Sequence, residues 1–315
     1  MSNQPQINIL IPLYNEEDIF NDLYLRLVKL MDNSELSISV IMVDDGSSDK
    51  TPKLMEDLSL KDNRFTSIFL SRNFGHQLAL TAAFDSVNAT EAVLVIDGDL
   101  QDPPELLEEF YSYYKQGYDV VYAVRKSRID SFFKKITANI FYKILKKVSS
   151  VKIPLDTGDF SLISRRVIDS LNTMREENRF IRGMRSWVGY NQIGIEYERQ
   201  GRTAGNTKYT LSKMIKLALN GLFGFSEFPI RFISVLGLIT ILISLAYFLL
   251  ALVKMLFLDG VVEGFTGLIF TIILFGGVQL LSIGVLGEYI LRIFFQVKER
   301  PLFIIKKQIK DGEIL

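Results

Sequence analysis

The sequence predicts an α/β domain with a mostly parallel, Rossmann-like sheet, followed by a C-terminal hairpin of two transmembrane helices. Short apolar runs alternate with helical patterns through the first third of the chain, which is typical of parallel strands joined by helices. Two long stretches near the C-terminus carry no charged residue. We expect an α/β domain at 1–200, a basic interfacial segment at 201–228, two transmembrane helices at 229–297 and a cytosolic tail at 298–315.

The predicted strands of the α/β domain are short and apolar. Ile7–Leu13 is the first of them, and Leu23, Leu27 and Leu30 follow it at helical spacing. The same alternation continues through runs at 38–43, 51–60, 66–70, 77–87 and 92–96. In parallel sheets of this kind, ligands bind beyond the carboxyl ends of the strands. The polar residues that follow the strands are therefore the first candidates for a site.

The composition excludes several classes of function. The 36 Lys and Arg residues balance the 36 Asp and Glu residues, so the chain has no overall positive field to attract nucleic acid. Because the sequence contains no Cys, it has neither disulfides nor thiolate metal sites, and no Cys nucleophile. We expect no nucleic-acid partner, and the lack of Cys fits a reducing compartment.

The two uncharged stretches are long enough to cross a bilayer. They span 232–253 and 264–287, which is 22 and 24 residues, and about 20 helical residues cross a hydrocarbon core. The connector at 254–263 holds one Lys and two acids, whereas basic residues cluster on the other side of both stretches. The positive-inside rule therefore predicts a multi-pass protein of the plasma (inner) membrane with its α/β domain in the cytosol. The alternative is a pair of buried core helices.

Two acid-free basic segments are predicted to lie on the membrane surface. Residues 131–150 hold five Lys and no acid, with apolar residues at helical spacing, which favours an amphipathic helix on anionic lipid. The alternative is a solvated helix docked on the domain. Residues 199–226 also lack acids and become apolar in their second half. These segments would hold the domain at the interface.

The sharpest candidate site is the turn at 97–101. Asp97 and Asp99 supply carboxylates, and Gln101 supplies an amide oxygen. Hard oxygen ligands of this kind suit Mg²⁺ or Mn²⁺ carrying phosphate oxygens. The alternative is a structural turn before a helix that starts near Pro103.

Two other polar clusters should lie beside this turn. They follow the first and second predicted strands, at 12–16 and 44–49. Three polar strand ends on one edge can converge on one ligand, with a tyrosine face for a base and carboxylates that accept from its N–H groups. The pattern predicts a pocket for a nucleotide diphosphate.

These motifs together resemble a known family. The segments PLYNE, VDDGSSD, RNFG, DGDLQDPPE and DTGDF, in that order and followed by paired membrane helices, are similar to those of the polyprenyl-phosphate glycosyltransferases. That group includes dolichol-phosphate mannose synthase and bactoprenol glucosyltransferase. The resemblance covers essentially the whole chain and implies a GT-A fold of family 2 type, with an inverting, metal-dependent mechanism.

The resemblance also implies roles for individual residues. Asp99 and Gln101, with Asp97 beside them, would hold the metal. Either Asp156 or Asp159 would be the general base, with Asp159 preferred, although that residue would only orient substrate if the acceptor phosphate is already ionised. The nucleotide pocket would be lined by Pro12, Tyr14, Glu16, Asp44, Asp45, Arg72 and Asp97. Arg182 is a catalytic candidate with Asp156 and Asp159, and it would help Arg199, Arg202 and Lys208 to seat the acceptor phosphate. The alternative for the basic segment at 199–209 is a general contact with lipid headgroups.

Two candidate residues keep open alternatives. For Arg72, a helix-capping or packing role is an equally good alternative to contact with the donor. His76 is the only His in the chain, and we expect it to start a helix rather than to take part in catalysis.

The expected function is transfer of a single sugar from a nucleotide diphosphate sugar to polyprenyl (undecaprenyl) phosphate at the cytosolic membrane face. A UDP-sugar is favoured as donor, with GDP-mannose as the alternative. The rival functions are a processive polysaccharide synthase, for which two spans are too few, and a non-catalytic scaffold or accessory subunit of a flippase. Small residues in the second span, Gly276, Gly277, Gly284 and Gly287, would permit close helix packing in a homo-oligomer.

Overall fold

The α/β domain is built on one mixed sheet. A computed structural model describes residues 4–126, 154, 157–198, 226, 228–257 and 264–315. The strands within these ranges join in the order β7-β5-β6-β4-β1-β2-β3-β8-β9. Their bounds are β1 Ile7–Leu13, β2 Ile38–Asp44, β3 Phe65–Leu70, β4 Ala92–Val95, β5 Val120–Arg125, β6 Thr157–Ser164, β7 Gln192–Tyr197, β8 Ile305–Lys310 and β9 Glu313–Ile314.

Helices cover both faces of this sheet and form the C-terminal hairpin. A 3₁₀ turn at Pro104–Leu106 also precedes the fourth helix. The helices are α1 Phe20–Asn33, α2 Thr51–Ser59, α3 His76–Asp85, α4 Leu107–Lys115, α5 Arg165–Thr173, α6 Ile181–Trp187, α7 Phe228–Phe257 and α8 Phe265–Val297.

One edge of the sheet collects most of the loops that carry polar residues. Strands β1 to β4 run parallel, β6 is antiparallel to both β4 and β5, and β8 is antiparallel to β3. Strand β7 is parallel to β5. The ends of β1 to β5 and β7 therefore lie together with the starts of β6 and β8. We call this side of the sheet the carboxyl edge.

Two apolar cores hold the helices on the sheet. Every residue of β1 is buried, as expected for a central parallel strand covered on both faces. Leu23 and Leu27 of α1 pack in one core with Phe110 of α4. On the other face Leu80 of α3 packs in a core with Ile168 of α5. The predicted α/β class is confirmed, but the sheet is mixed rather than mostly parallel, because four of its strand pairings are parallel and four are antiparallel among the described residues.

Helices α7 and α8 are both long and apolar enough to span a membrane. They contain 30 and 33 residues, and the candidate spans within them are Phe228–Leu250 and Thr271–Val297. Most of their described large apolar side chains are exposed, so the α/β domain does not enclose these helices as it would a core pair. Helix α8 continues ten residues past the predicted uncharged stretch, since Arg292 pairs with Glu288 one turn earlier at 2.9 Å. These features are compatible with membrane association.

The C-terminal residues form strands, where we expected only a charged tail. Strand β8 pairs with β3, and β9 pairs with β8. Ile309 is fully buried and Phe303 packs against a core. The Ser71 N–H also donates to the Ile304 carbonyl at 2.9 Å. The chain therefore returns from the hairpin to the sheet, which adds a strand beside β3.

The C-terminal end of α8 lies at the carboxyl edge. The Gln296 Nε2 donates to the Arg175 carbonyl at 2.8 Å, and the Glu177 N–H donates to Gln296 Oε1 at 2.9 Å. Residues 174–180 follow α5, which returns to the carboxyl edge from the far end of β6. The hairpin is thus joined to the α/β domain beside the predicted site. The basic segments predicted at 131–150 and 199–225 lie outside the described residues.

Candidate active site

The loops that follow β1 and β2 hold each other in place. The Asn15 N–H donates to Ser47 Oγ at 2.9 Å, and Asn15 Oδ1 accepts from the Ser48 N–H at 2.8 Å. The Glu16 N–H donates to Thr51 Oγ1 at 2.9 Å. Pro12 is buried within β1, and the Tyr14 ring is 38% exposed at its end. A tyrosine presented in this way can stack on a planar base.

Asp44 and Asp45 are both buried and bind backbone groups of these loops. Asp44 Oδ1 accepts from the Ser47 N–H at 3.1 Å. Asp45 Oδ1 accepts from the Phe74 N–H at 2.7 Å, and its Oδ2 accepts from the Gly75 N–H at 3.0 Å. Burial raises the pKa of both carboxyl groups above the ordinary value. The contacts of Asp44 hold the loop after β2, and those of Asp45 hold the loop at 71–75, which leads into α3.

Arg72 lies on that loop and packs on its neighbour. Its guanidinium stands 3.9 Å from the centre of the Phe74 ring, and its Nη1 donates to the Asn73 carbonyl at 3.1 Å. The side chain is exposed at the carboxyl edge. The observed contacts match the packing alternative, while contact with a donor stays a prediction.

Gly46 is required where the loops after β2 and β3 meet. Its φ is +71°, and a Cβ there would lie 2.5 Å from the Arg72 carbonyl carbon and 2.6 Å from the Asn73 nitrogen. We expect Gly46→Ala to lower the free energy of unfolding by about 3 kcal/mol, because it combines backbone strain with overpacking. Thermal unfolding measures this. Gly117→Ala is the control, since its φ is +96° but a Cβ meets nothing within 4 Å. Equal losses in the two variants would contradict the steric explanation.

The turn at 97–101 is packed against β1. A Cβ on Gly98 would lie 2.5 Å from Leu13 Cδ2, so the turn approaches the end of β1 closely. Asp99 Oδ1 accepts from the Gln101 N–H at 3.2 Å, and Leu100 has a φ of +60°. Asp97 and Asp99 are half-buried. The two carboxylates and the amide are therefore presented from a constrained turn.

The donor set of this turn fits a cation that arrives with ligands of its own. Within the described ranges, no group of three or more His, Cys, Asp or Glu side chains is arranged to hold a metal ion. Mg²⁺ typically takes one or two carboxylates from the protein and the rest from phosphates and water. The oxygens of Asp97, Asp99 and Gln101 fit that pattern.

Asp159 lies at the centre of a charged cluster at the start of β6. Its Oδ2 accepts from His76 Nε2 and from Gln77 Nε2, both at 3.1 Å, and its Oδ1 lies 3.2 Å from Arg182 Nε. His76 Nε2 is also 3.7 Å from Asp97 Oδ1. His76 thus links the turn at 97–101 to Asp159.

The charges of this cluster shift two pKa values in opposite directions. Burial alone would raise the pKa of Asp159, but Arg182 and His76 hold it well below the ordinary value. Burial alone would lower the pKa of His76, but Asp159 and Asp97 raise it to about 9. Asp159 is therefore an anion and His76 a cation at neutral pH, and Asp159 is a weak base.

Gln77 connects the cluster to the next helix. Its Oε1 accepts from the N–H of Ile181, the first residue of α6, at 2.8 Å. The same helix carries Arg182, whose Nη1 donates to the Thr157 carbonyl at 3.1 Å. Strand β6, α3 and α6 are in this way tied together around one carboxylate.

The structure brings together Asp97, Asp159 and Arg182 from the predicted set. Asp156, Arg199, Arg202 and Lys208 lie outside the described residues. Sequence reasoning missed the contacts of His76, which starts α3 as expected but also joins the charged cluster. The available signal was a single His in the loop after a predicted strand, at the start of a predicted helix. Gln77 and Arg185 carried no signal.

The comparisons with known proteins show the family to which the chain belongs. The model of the family described as "Glycosyl transferase family 2" matches residues 8–171. The chain belongs to that family and is a glycosyltransferase, and its mixed sheet with polar loops on the carboxyl edge is the GT-A-like fold that the sequence predicted.

Full-length relatives are known from several bacteria. The chain is 44% identical to the uncharacterized glycosyltransferase YkcC of Bacillus subtilis, over 98% of this chain and 95% of that protein. It is 37% identical to the SfII prophage-derived bactoprenol glucosyl transferase of Shigella flexneri, over 96% and 98%. It is 35% identical to the prophage bactoprenol glucosyl transferase homolog of Escherichia coli K12, over 96% and 99%.

Proposed function

We propose that this glycosyltransferase moves one sugar from a nucleotide diphosphate sugar to polyprenyl phosphate at the cytosolic face of the plasma (inner) membrane. One observation carries the proposal. The edge that bears the Asp97–Asp99 turn and the Asp159–Arg182 pair is also the edge where α8 joins the domain. Relatives of nearly full length that are named for bactoprenol, a polyprenyl alcohol, support the same class of acceptor.

The donor would bind over the loops that follow β1, β2 and β4. Tyr14 is exposed to stack on the base, and a UDP-sugar is favoured, with GDP-mannose as the alternative. Asp97, Asp99 and Gln101 would hold Mg²⁺ or Mn²⁺ with the diphosphate. A bound divalent cation would neutralise the charge that develops on the departing nucleoside diphosphate.

The acceptor would approach from the side of Asp159. Two unit charges 4 Å apart repel by about 4 kcal/mol at an effective dielectric of 20, so two phosphate groups cannot meet without cations between them. Arg182 and His76 supply positive charge at this position. Asp156, Arg199, Arg202 and Lys208 are proposed to complete the acceptor side.

The chemistry needs no strong base on the protein. A phosphate monoester has a second pKa of about 6 and is largely ionised at pH 7. Its oxygen attacks the anomeric carbon as the bond to the diphosphate breaks, and the configuration inverts. We assign Asp159 the role of orienting Arg182 and His76, because a carboxylate with so low a pKa is a poor proton acceptor.

The hairpin would hold the site at the depth of the lipid headgroups. Both its ends lie on the side of the α/β domain, since Tyr289 Oη in the last part of α8 donates to the Ser226 carbonyl just before α7 at 3.4 Å, and β8 returns to the sheet. This supports a two-span protein with the catalytic domain in the cytosol. The basic segments at 131–150 and 201–228 are proposed to lie on the membrane, and the acceptor then reacts without leaving the bilayer.

Purified protein in nanodiscs tests the proposal. Undecaprenyl phosphate would be supplied with Mg²⁺ or Mn²⁺ and with UDP-glucose, UDP-galactose, UDP-N-acetylglucosamine or GDP-mannose in separate reactions. We expect mass spectrometry to show a lipid that has gained one sugar from one donor, and no product with EDTA or with undecaprenol. Failure of every donor, or a lipid carrying a sugar polymer, would refute the proposed function.

A further inference from the structure

Arg185 is a buried cation with incomplete hydrogen bonding among the described residues. Its side chain in α6 is 1% exposed, and its Nη1 donates to Ser161 Oγ at 2.8 Å. Its Nε and Nη2 make no hydrogen bond within the described part of the chain. Unmet hydrogen-bond donors on a buried charge cost free energy, so hydrogen bonding alone does not account for an arginine at this position.

The charge of Arg185 acts on Asp159. The Ser161 hydroxyl that accepts from Arg185 donates in turn to the Asp159 carbonyl at 2.8 Å. Burial lowers the pKa of Arg185 to about 10, with Asp159 opposing the shift, so the guanidinium stays charged at neutral pH. Arg185 also lies three residues after Arg182 on the same helix. Asp159 is therefore linked to two arginines of one helix, to Arg182 at its carboxylate and to Arg185 through Ser161 at its backbone carbonyl.

The two arginines differ in how far their side chains are exposed. Arg182 is 17% exposed at the carboxyl edge, whereas Arg185 is enclosed and its guanidinium lies 5.2 Å from the Tyr122 ring centre. An incoming phosphate can attract Arg182 away from Asp159 Oδ1. Asp159 Oδ2 would then still accept from His76 and Gln77, and Arg185 would stay bonded to Asp159 through Ser161.

We propose that Arg185 is a positioning residue that keeps Asp159 an oriented anion while Arg182 moves to the acceptor phosphate. The inference rests on the proposed function. It assigns Arg185 no contact with either substrate. It explains why the fold retains a buried charge at this position.

Arg179 provides a matched control. It is also a buried arginine, 4% exposed, and burial lowers its pKa to about 10 as well. Its Nη1 donates to the Met174 carbonyl and its Nη2 to the Leu171 carbonyl at 3.1 Å, both at the C-terminal end of α5. Arg179 thus satisfies a helix end, which is a structural role.

The first experiment compares Arg185→Met, Arg185→Lys and Arg179→Met in the sugar-transfer reaction. For Arg185→Met we expect a lower Tm, since Asp159 loses one of its cations, together with a kcat lower by about tenfold to a hundredfold and a raised KM for the lipid phosphate alone. Arg185→Lys should recover most of the activity. Arg179→Met should lower Tm and leave kcat unchanged. A fall in Tm with normal kcat in Arg185→Met would overturn the inference.

Two further measurements make the outcome decisive. In an Asp159→Asn background, Arg185→Met should add less than about a twofold loss, because coupled residues are not additive; a full additional loss would overturn the inference. Farnesyl phosphate should raise the Tm of the wild type more than that of Arg185→Met, and farnesol should raise neither. That binding test needs no turnover, so equal shifts refute the role of Arg185 even if an inactive wild type refutes the proposed function.

Discussion

Asp99→Ala should reduce sugar transfer by about a thousandfold, which corresponds to about 4 kcal/mol of lost transition-state stabilisation. The carboxylate lies on the turn after β4 and its Oδ1 accepts from the Gln101 N–H. Its removal takes away one of the hard oxygen ligands proposed for the metal and frees the turn. Initial rates over a range of Mg²⁺ and Mn²⁺ concentrations measure the loss, which excess metal should not restore.

Glu105→Gln is the control for Asp99→Ala. Glu105 belongs to the same acidic segment, but it pairs with Arg26 at 2.6 Å and its side chain is 54% exposed. An exposed ion pair contributes at most about 1 kcal/mol to stability. We expect a normal rate in this variant. A normal rate in Asp99→Ala would refute the metal assignment.

Asp159→Asn should lower kcat by about a hundredfold or more. The amide keeps the shape of the side chain but removes the anion that Arg182, His76 and Arg185 share. Removing one partner of a buried charge pair costs about 3–5 kcal/mol of stability, so Tm should fall as well. Steady-state kinetics on protein that remains folded separates the loss of kcat from the loss of stability.

Asp169→Asn is the matched control on the next helix. Asp169 pairs with Arg165 at 2.8 Å within α5, and its side chain is 56% exposed. We expect wild-type kcat and Tm in this variant. If Asp159→Asn also reacted at the wild-type rate, the orienting role of Asp159 would be wrong.

The sequence predicted the parallel part of the fold and its polar edge well. Strands β1, β2 and β4 are short apolar runs, and each is followed by the polar turn expected there. These features are local, because the spacing of apolar residues and the turn residues lie within a few positions of each other. The GT-A assignment came from the combined motifs, and the family match confirms it.

The long-range contacts could not be predicted from such patterns. Strand β8 pairs Ile309 with Ser67, which is far away in the sequence. The position of His76 depends on Asp159, which is 83 residues later. Aspartates such as Asp44 and Asp45 often bind ligands. In the structure both are buried, and their carboxylates accept hydrogen bonds from backbone N–H groups.

The return of the chain to the sheet has a mechanical consequence. Beyond α8, strand β8 is hydrogen-bonded to β3, and the Gln296 side chain is hydrogen-bonded to the loop before α6. If the hairpin spans the membrane as proposed, these two attachments would fix the height of the reacting atoms above the bilayer, which a flexible linker would not do. We then expect the rate of sugar transfer to depend little on the length of the lipid's hydrocarbon tail. The same rate should depend strongly on a shift of a few ångströms in the depth of the lipid phosphate.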